Sequence, residues 1–316
     1  MQNKSRTIVV LGTGGTIAGT AADAGDNVGY TAAQLGVAQL VAAVPALAGV
    51  PLECEQVAQV DSKDMAFAVW RSLALRLRHH LARDEVAGVV VTHGTDTLEE
   101  TAYFLQRVLA PVKPVVLTAA MRPATSLQAD GPQNLQHAVR VAGHAGAQGV
   151  VAVVNGTVHG AHEVRKNHTY RLDTFGSGDV GPLGVVEEDQ LRMWRPWPQG
   201  IALGVEMLGA DTSAWPRVEI VTSHAGASGA LVRAACSLGV HGLVVAATGN
   251  GTVHHDLEES LREAQANGVR VLRSSRCLEG RVLVRADDVL PSADDLTPVK
   301  ARIELMLGLM SLLKPA

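Results

Sequence analysis

Residues 12–20 read GTGGTIAGT and follow the apolar run Ile8-Val9-Val10-Leu11. A glycine-rich loop after a strand is where α/β proteins cradle phosphate, but this loop lacks the residues for that chemistry. A dinucleotide fingerprint requires glycine where Ile17 stands, and a Walker loop requires Gly-Lys-Ser/Thr. What the loop does carry is threonine. A hydroxyl held just after a strand can act as a nucleophile once another group in the chain activates it.

A second stretch of the same kind, VVVTHGTDTLEETA, occupies residues 89–102. His93-Gly94-Thr95-Asp96-Thr97 ends an apolar run and precedes a helical pattern whose first turn carries Glu99 and Glu100. Free N–H groups at a helix start would let Thr95 and its neighbours hold an anion or a developing oxyanion. The competing reading is that Asp96 or Thr97 merely caps the helix. His159 and His162, and the run His254-His255-Asp256, supply metal-ligand side chains but no third ligand at a zinc spacing, so no metal is expected. Cys277 has no nucleophile motif around it and reads as a small buried apolar residue.

The elements that must position these loops are legible in the hydrophobic pattern. Strands are expected near 7–11, 52–60, 87–92, 114–118 and 149–154, with helices over 64–82, 97–109 and 132–144. Such alternation predicts an α/β fold: a large N-terminal domain, residues 1–189, with a mostly parallel sheet flanked by helices. Both threonine loops then open at the carboxyl edge of the sheet, where ligands of such folds bind. Residues 190–217 hold three of the four tryptophans and three prolines, and read as a linker. A smaller C-terminal α/β domain, residues 218–316, is expected to contain strands near 218–222, 242–247 and 269–273 and helices near 229–238, 256–266 and 298–313.

Composition narrows the partners. The 316 residues carry a formal net charge of −4 with no basic stripe, so nucleic acid is not expected. No apolar stretch reaches membrane-spanning length and the N-terminus does not read as a secretory signal. Three widely spaced cysteines, Cys54, Cys236 and Cys277, fit free thiols in the cytoplasm.

The two threonine signatures, Thr13-Gly14-Gly15-Thr16-Ile17 and His93-Gly94-Thr95-Asp96-Thr97, together resemble those of the bacterial-type L-asparaginase family. Ala120-Met121-Arg122-Pro123, Ala129-Asp130-Gly131-Pro132 and Ser274-Ser275-Arg276 extend the likeness over nearly the whole chain. The resemblance implies an asparagine amidohydrolase that needs no cofactor. Thr16 would attack the amide, assisted by Tyr30 on a mobile loop. Thr95 would work with Asp96 and Lys166, and backbone N–H groups around Thr95 and near Ala120 would hold the oxyanion. Asp96 would take the substrate ammonium and Ser62 its carboxylate. It also implies a homotetramer whose sites combine the large domain of one subunit with the small domain of its neighbour, to which Asn250 belongs. Taken without the resemblance, Tyr30 reads as a packing aromatic, Lys166 as a surface charge, Ser62 as a helix cap and Asn250-Gly251 as a turn with no obvious local job for the asparagine.

Two departures stand out. Many relatives carry Gln after the carboxylate-binding serine, whereas this chain has Lys63, which has only donors to offer and is expected at the substrate, where its charge would repel the ammonium or grip the carboxylate. The segment after Arg276 is several residues shorter than in relatives, leaving Glu279 as the candidate for the acid that reaches a neighbouring site. Two rival readings accompany the main one. The first is a glutaminase, acting alone or as an ammonia-supplying subunit of a transfer-RNA amidotransferase. The second is an inactive amino-acid sensor, which would have no need for both threonines and the lysine.

Overall fold

Val9, Val10 and Leu11 have no exposed surface, and neither do Val89, Val90 and Val91. Strands buried on both faces belong to sheets covered by helices on each side, and each such side chain removed from water stabilises the fold by about 1.5–3 kcal/mol before entropy is counted. The structure, a computed structural model describing residues 6–312, shows how these runs are used. The chain divides between Val205 and Glu206 into two compact units.

The first unit alternates β1 (Thr7–Gly14), α1 (Val37–Ala42), β2 (Leu52–Val60), α2 (Phe67–Leu81), β3 (Val86–Thr92), α3 (Leu98–Leu109), β4 (Val115–Thr118), α4 (Gly131–Ala142) and β5 (Val150–Val154). There follow β6 (Thr157–Gly160), a small hairpin of β7 (Arg165–Lys166) and β8 (Phe175–Gly176), then β9 (Gly184–Glu187) and β10 (Gln190–Met193). Eight strands form one sheet in the order β10-β9-β6-β5-β4-β3-β1-β2. From β2 to β5 the pairs are parallel, as expected; β5-β6, β6-β9 and β9-β10 are antiparallel.

The antiparallel edge is where the structure departs from the hydrophobic pattern. β6, β9 and β10 are four residues each, and unlike the equally short β4 they carry no more than two large apolar residues apiece. Gln190–Met193, at the start of the segment read as a linker, pairs with Glu187–Gly184 and so belongs to the sheet. The helix expected from residue 64 begins at Phe67, because Ser62–Asp64 form a separate 3₁₀ turn.

The second unit is a three-stranded parallel sheet, β11 (Val218–Thr222), β12 (Gly242–Ala247) and β13 (Arg270–Ser275), in that order, with α5 (Ala230–Ser237), α6 (His255–Ala266) and α7 (Pro298–Leu312). Residue 313, the expected end of the last helix, lies outside the described residues. Among those described, no helix is long and apolar enough to cross a membrane.

Candidate active site

The glycines of the first loop bring backbone against backbone. Gly14 and Gly15 follow each other at φ +106° and +82°, a region that residues with a Cβ enter only at a cost. A Cβ on Gly14 would collide with the Val60 carbonyl at the end of β2, and one on Gly15 with the backbone of Gly94. A Cβ on Gly94 would in turn collide with the Ser62 side chain. Three chain segments, after β1, β2 and β3, are thus stacked at one edge of the sheet. Gly15 N–H donates to Val60 O at 2.9 Å, and Thr13 Oγ1 donates to Thr92 O at 2.8 Å.

Thr16 opens a 3₁₀ turn directly after Gly15 and is buried. Its Oγ1 lies 2.7 Å from the Tyr30 hydroxyl. Tyr30 sits at the end of a loop closed by reciprocal 2.9 Å bonds between Thr20 and Thr31. The loop is laced to residues 124–127: Ala124 N–H donates to Gly19 O at 2.9 Å, Ala21 N–H to Thr125 Oγ1 at 2.8 Å, and Ser126 Oγ to Asn27 Oδ1 at 2.6 Å. Within it, the backbone N–H groups of Gly29 and Val28 hold the Asp26 carboxyl below its ordinary range.

Around the second loop, Lys166 Nζ donates to Thr95 Oγ1 at 2.9 Å and to Asp96 Oδ1 at 2.6 Å. The Lys166 backbone N–H reaches Glu99 Oε1 at 3.3 Å, so α3 also orients the lysine. Asp96 N–H donates to Ser62 Oγ at 3.2 Å, and Thr97 Oγ1 to Ser62 O at 2.8 Å. The capping alternatives are not what these side chains do. Thr97 is the N-cap of α3 but makes no capping bond with its side chain. The turn at Ser62 is capped by Asp61, which accepts from Lys63 N–H at 3.4 Å.

His93 is a supporting residue whose role the sequence does not announce. It is wholly buried; Nδ1 stands 2.7 Å from Gly94 O and Nε2 2.9 Å from Thr101 Oγ1. Trp70 Nε1–H donates to the same Thr101 oxygen at 2.8 Å. The relay Trp70 to Thr101 to His93 Nε2 leaves Nδ1–H to donate to Gly94, which fixes a neutral imidazole. Desolvation pulls its pKa down to about 4. The periodicity of α2 and α3 assigns Trp70 and Thr101 to the core, but not to each other.

Ala120 is buried after β4, between two anchored neighbours. Asn134 Nδ2 donates to Ala119 O at 2.9 Å, and Asp130 accepts from Met121 N–H at 3.0 Å and Arg122 N–H at 2.9 Å. Burial raises the Asp130 pKa, and those backbone donors work against the rise.

Lys63 follows Ser62 but is not drawn into this group. Its ammonium is bound by Asp64 and lies 3.6 Å from Asp61, with 61% of the side chain exposed. Asn250 lies in the second unit, on the turn after β12, and there it has a local job the sequence did not reveal. Its Oδ1 accepts from Leu283 N–H at 2.7 Å and its Nδ2 donates to Leu283 O at 3.1 Å. Glu279 is exposed. Cys277, read as a small buried residue, is also exposed, because it follows the end of β13 rather than lying within it.

His159 Nδ1 stands 2.8 Å from Ser177 Oγ, and the His162 ring lies 5.9 Å from that of Tyr103. Among the described residues, His254, His255 and Asp256 form the one group with metal-ligand geometry. His254 Nδ1 accepts from Asp256 N–H at 3.3 Å and His255 Nε2 lies 2.9 Å from Asp256 Oδ1, so the cluster is bonded within itself at the start of α6.

Two hydroxyl loops pressed together, one with a tyrosine and one with a lysine-carboxylate pair, bring together the kinds of group that nucleophilic attack on an acyl carbon requires. The family described as Asparaginase, N-terminal matches residues 7–199, and the Glutaminase/Asparaginase C-terminal domain matches residues 217–316. The chain belongs to the asparaginase family. It is 38% identical to L-asparaginase 2 of Bacillus subtilis, over 96% of this chain and 82% of that protein. It is 36% identical to the glutaminase-asparaginase of Pseudomonas fluorescens, over 98% and 87%. The crystal structure of a probable cytoplasmic L-asparaginase from Campylobacter jejuni superposes with a TM-score of 0.88 at 38% identity, covering 97% of this chain and 95% of that one.

Proposed function

We propose that the protein hydrolyses the side-chain amide of L-asparagine, giving L-aspartate and ammonia through an acyl-enzyme on Thr16. The observation that carries this reading is Lys166 placed on both Thr95 and Asp96 in a loop packed against the loop of Thr16. Thr16 Oγ attacks the amide carbon, and Tyr30, 2.7 Å away, relays the hydroxyl proton. Backbone N–H groups around Thr95 and near Ala120 hold the oxyanion, which preorganised donors stabilise far better than water does. The C–N bond breaks, and the amide nitrogen takes up the proton relayed from Thr16 and leaves as ammonia. Thr95, with its proton managed by Lys166 and Asp96, activates the water that cleaves the ester and frees Thr16.

Substrate placement follows from unused bonding capacity. Ser62 Oγ accepts from Asp96 N–H and keeps its own O–H to donate to the α-carboxylate. Asp96 Oδ1 faces Lys166, which leaves Oδ2 for the α-ammonium. Catalytic residues so assigned lie in the large domain, residues 1–189. The small domain, 218–316, supplies Asn250 to a neighbouring subunit of a homotetramer. Leu278, Leu283 and Val284, close together in sequence and all exposed, support association there. The three free thiols support a cytoplasmic location.

Ammonia release from L-asparagine, L-glutamine and their D-forms tests the reading. Release fastest from L-asparagine is expected, and no release from any of them overturns it. Preference for L-glutamine would favour the second reading, which the likeness to a glutaminase-asparaginase keeps in view. Oligomeric state is tested by light scattering and by mixing Thr16→Ala with Asn250→Ala protein. Recovered activity is expected for shared sites, and full activity as a monomer overturns them.

A further inference from the structure

Lys166 lies on β7, which pairs with β8 in a two-stranded sheet separate from the eight-stranded one. The position of its ammonium therefore depends on what ties this hairpin to the rest of the unit. The loop between the two strands is braced internally. Asn167 N–H and His168 N–H donate to Thr174 O at 2.8 and 3.3 Å, and Tyr170 and Arg171 N–H donate to His168 Nδ1 at 3.0 and 3.1 Å. A grip anywhere on such a loop is transmitted to its base.

Arg122 supplies that grip. Its NH1 donates to Tyr170 O at 2.9 Å, and its guanidinium carbon stands 4.0 Å from the centre of the Tyr170 ring. The arginine is buried, with 7% exposed, whereas Tyr170 is 47% exposed, so the ring acts as a cover over the cation. On its other side Arg122 is two residues from Ala120 and is fixed at its own N–H by Asp130. One side chain thus joins the turn that holds the oxyanion to the hairpin that carries the lysine.

We infer that Arg122 is a positioning residue for this amide hydrolysis: by holding Tyr170 it sets where the Lys166 ammonium stands relative to Thr95 and the Ala120 turn. The inference rests on the function proposed above. Its test is steady-state kinetics with L-asparagine on Arg122→Met, Tyr170→Ala, Tyr170→Phe and the double variant Arg122→Met/Tyr170→Ala, with thermal melts alongside. Arg122→Met and Tyr170→Ala should each lower kcat by at least about tenfold while KM stays within about threefold, because neither substituted residue bonds to Ser62 or to the Asp96 Oδ2 left for the ammonium. Tyr170→Phe, which keeps ring and carbonyl, should retain the wild-type kcat. The double variant should lose no more than Arg122→Met alone, since Arg122→Met already removes both the stack on the ring and the bond to the Tyr170 carbonyl, whereas Tyr170→Ala removes only the stack.

A general loss of stability lowers the melting temperature without this pattern. Wild-type kcat in Tyr170→Ala, equal loss in Tyr170→Phe, additive losses, or a change confined to KM each overturn the inference while leaving the wild-type activity in place. Absence of ammonia release from the wild-type protein overturns the functional reading and the inference together. If Arg122→Met does not fold, the two Tyr170 variants, altered at a half-exposed position, decide the matter.

Discussion

Lys166 Nζ donates to Thr95 Oγ1 at 2.9 Å across 71 residues of chain, and the same ammonium meets Asp96. In the function proposed above this lysine moves protons for the hydroxyl it touches. Lys166→Met should lower kcat for L-asparagine by roughly 10²–10⁴. Lys166→Arg should not restore it, because a planar guanidinium that stays charged cannot accept a proton. Comparison of kcat for the two variants checks this.

Thr16→Ala and Thr95→Val should each reduce amide hydrolysis by at least about a hundredfold, since the proposed mechanism places both hydroxyls on the reaction path. The two losses differ in kind. Intact-mass measurement on Thr95→Val incubated with L-asparagine should reveal an aspartyl ester on Thr16, whereas Thr16→Ala should form none. Full activity in Thr16→Ala removes the nucleophile assignment.

Lys63→Gln should leave KM for L-asparagine within about threefold of wild type. Asp64 and Asp61 occupy the ammonium, raising its pKa and turning its charge away from Ser62. A KM that falls tenfold would show that the lysine faces the substrate in solution.

Gly15→Ala should destabilise the fold by at least about 1–3 kcal/mol, the strain of a non-glycine residue at this φ. The collision with Gly94 comes in addition and should separate the two threonine loops. Chemical denaturation and activity, measured together, should show both effects.

His93 is pulled down to about 4 by burial from an ordinary 6.5. Between those values the unfolded chain binds a proton that the folded chain refuses, so stability rises with pH across the window. The contribution is complete above pH 6.5, and on the order of 3 kcal/mol is lost by pH 4. His93→Gln should flatten the slope by one proton. Asp130, raised by burial, titrates with the opposite sign in both proteins and drops out of the comparison. Urea denaturation at several pH values measures the difference.

In the sheet from β2 to β5, β1, β3, β4 and β5 were legible as continuous apolar runs and α2, α3 and α4 as repeating apolar faces, whereas α1, at six residues, is too short to repeat a face and was not foreseen. Four-residue β6, β9 and β10 were not, because their pairing is supplied by neighbours already in the sheet. The same division holds at the site. Residue type and loop context alone picked out the threonine loops as candidates, and the likeness of their motifs to a known family named Thr16, Thr95, Asp96 and Lys166 individually. Only the folded chain decided that Gly15 and Gly94 press the loops together and that Thr97 and Ser62 bond to each other rather than cap helices. It also decided that Lys63 turns to its own acidic neighbours, that Asn250 secures Leu283, that His93 bonds to Gly94 and Thr101, and that Arg122 holds Tyr170. The physical reason is range: periodicity and turn chemistry act over a few residues, whereas all of these partners except those of Lys63 and His93 are chosen by distance in space between segments that the sequence keeps far apart.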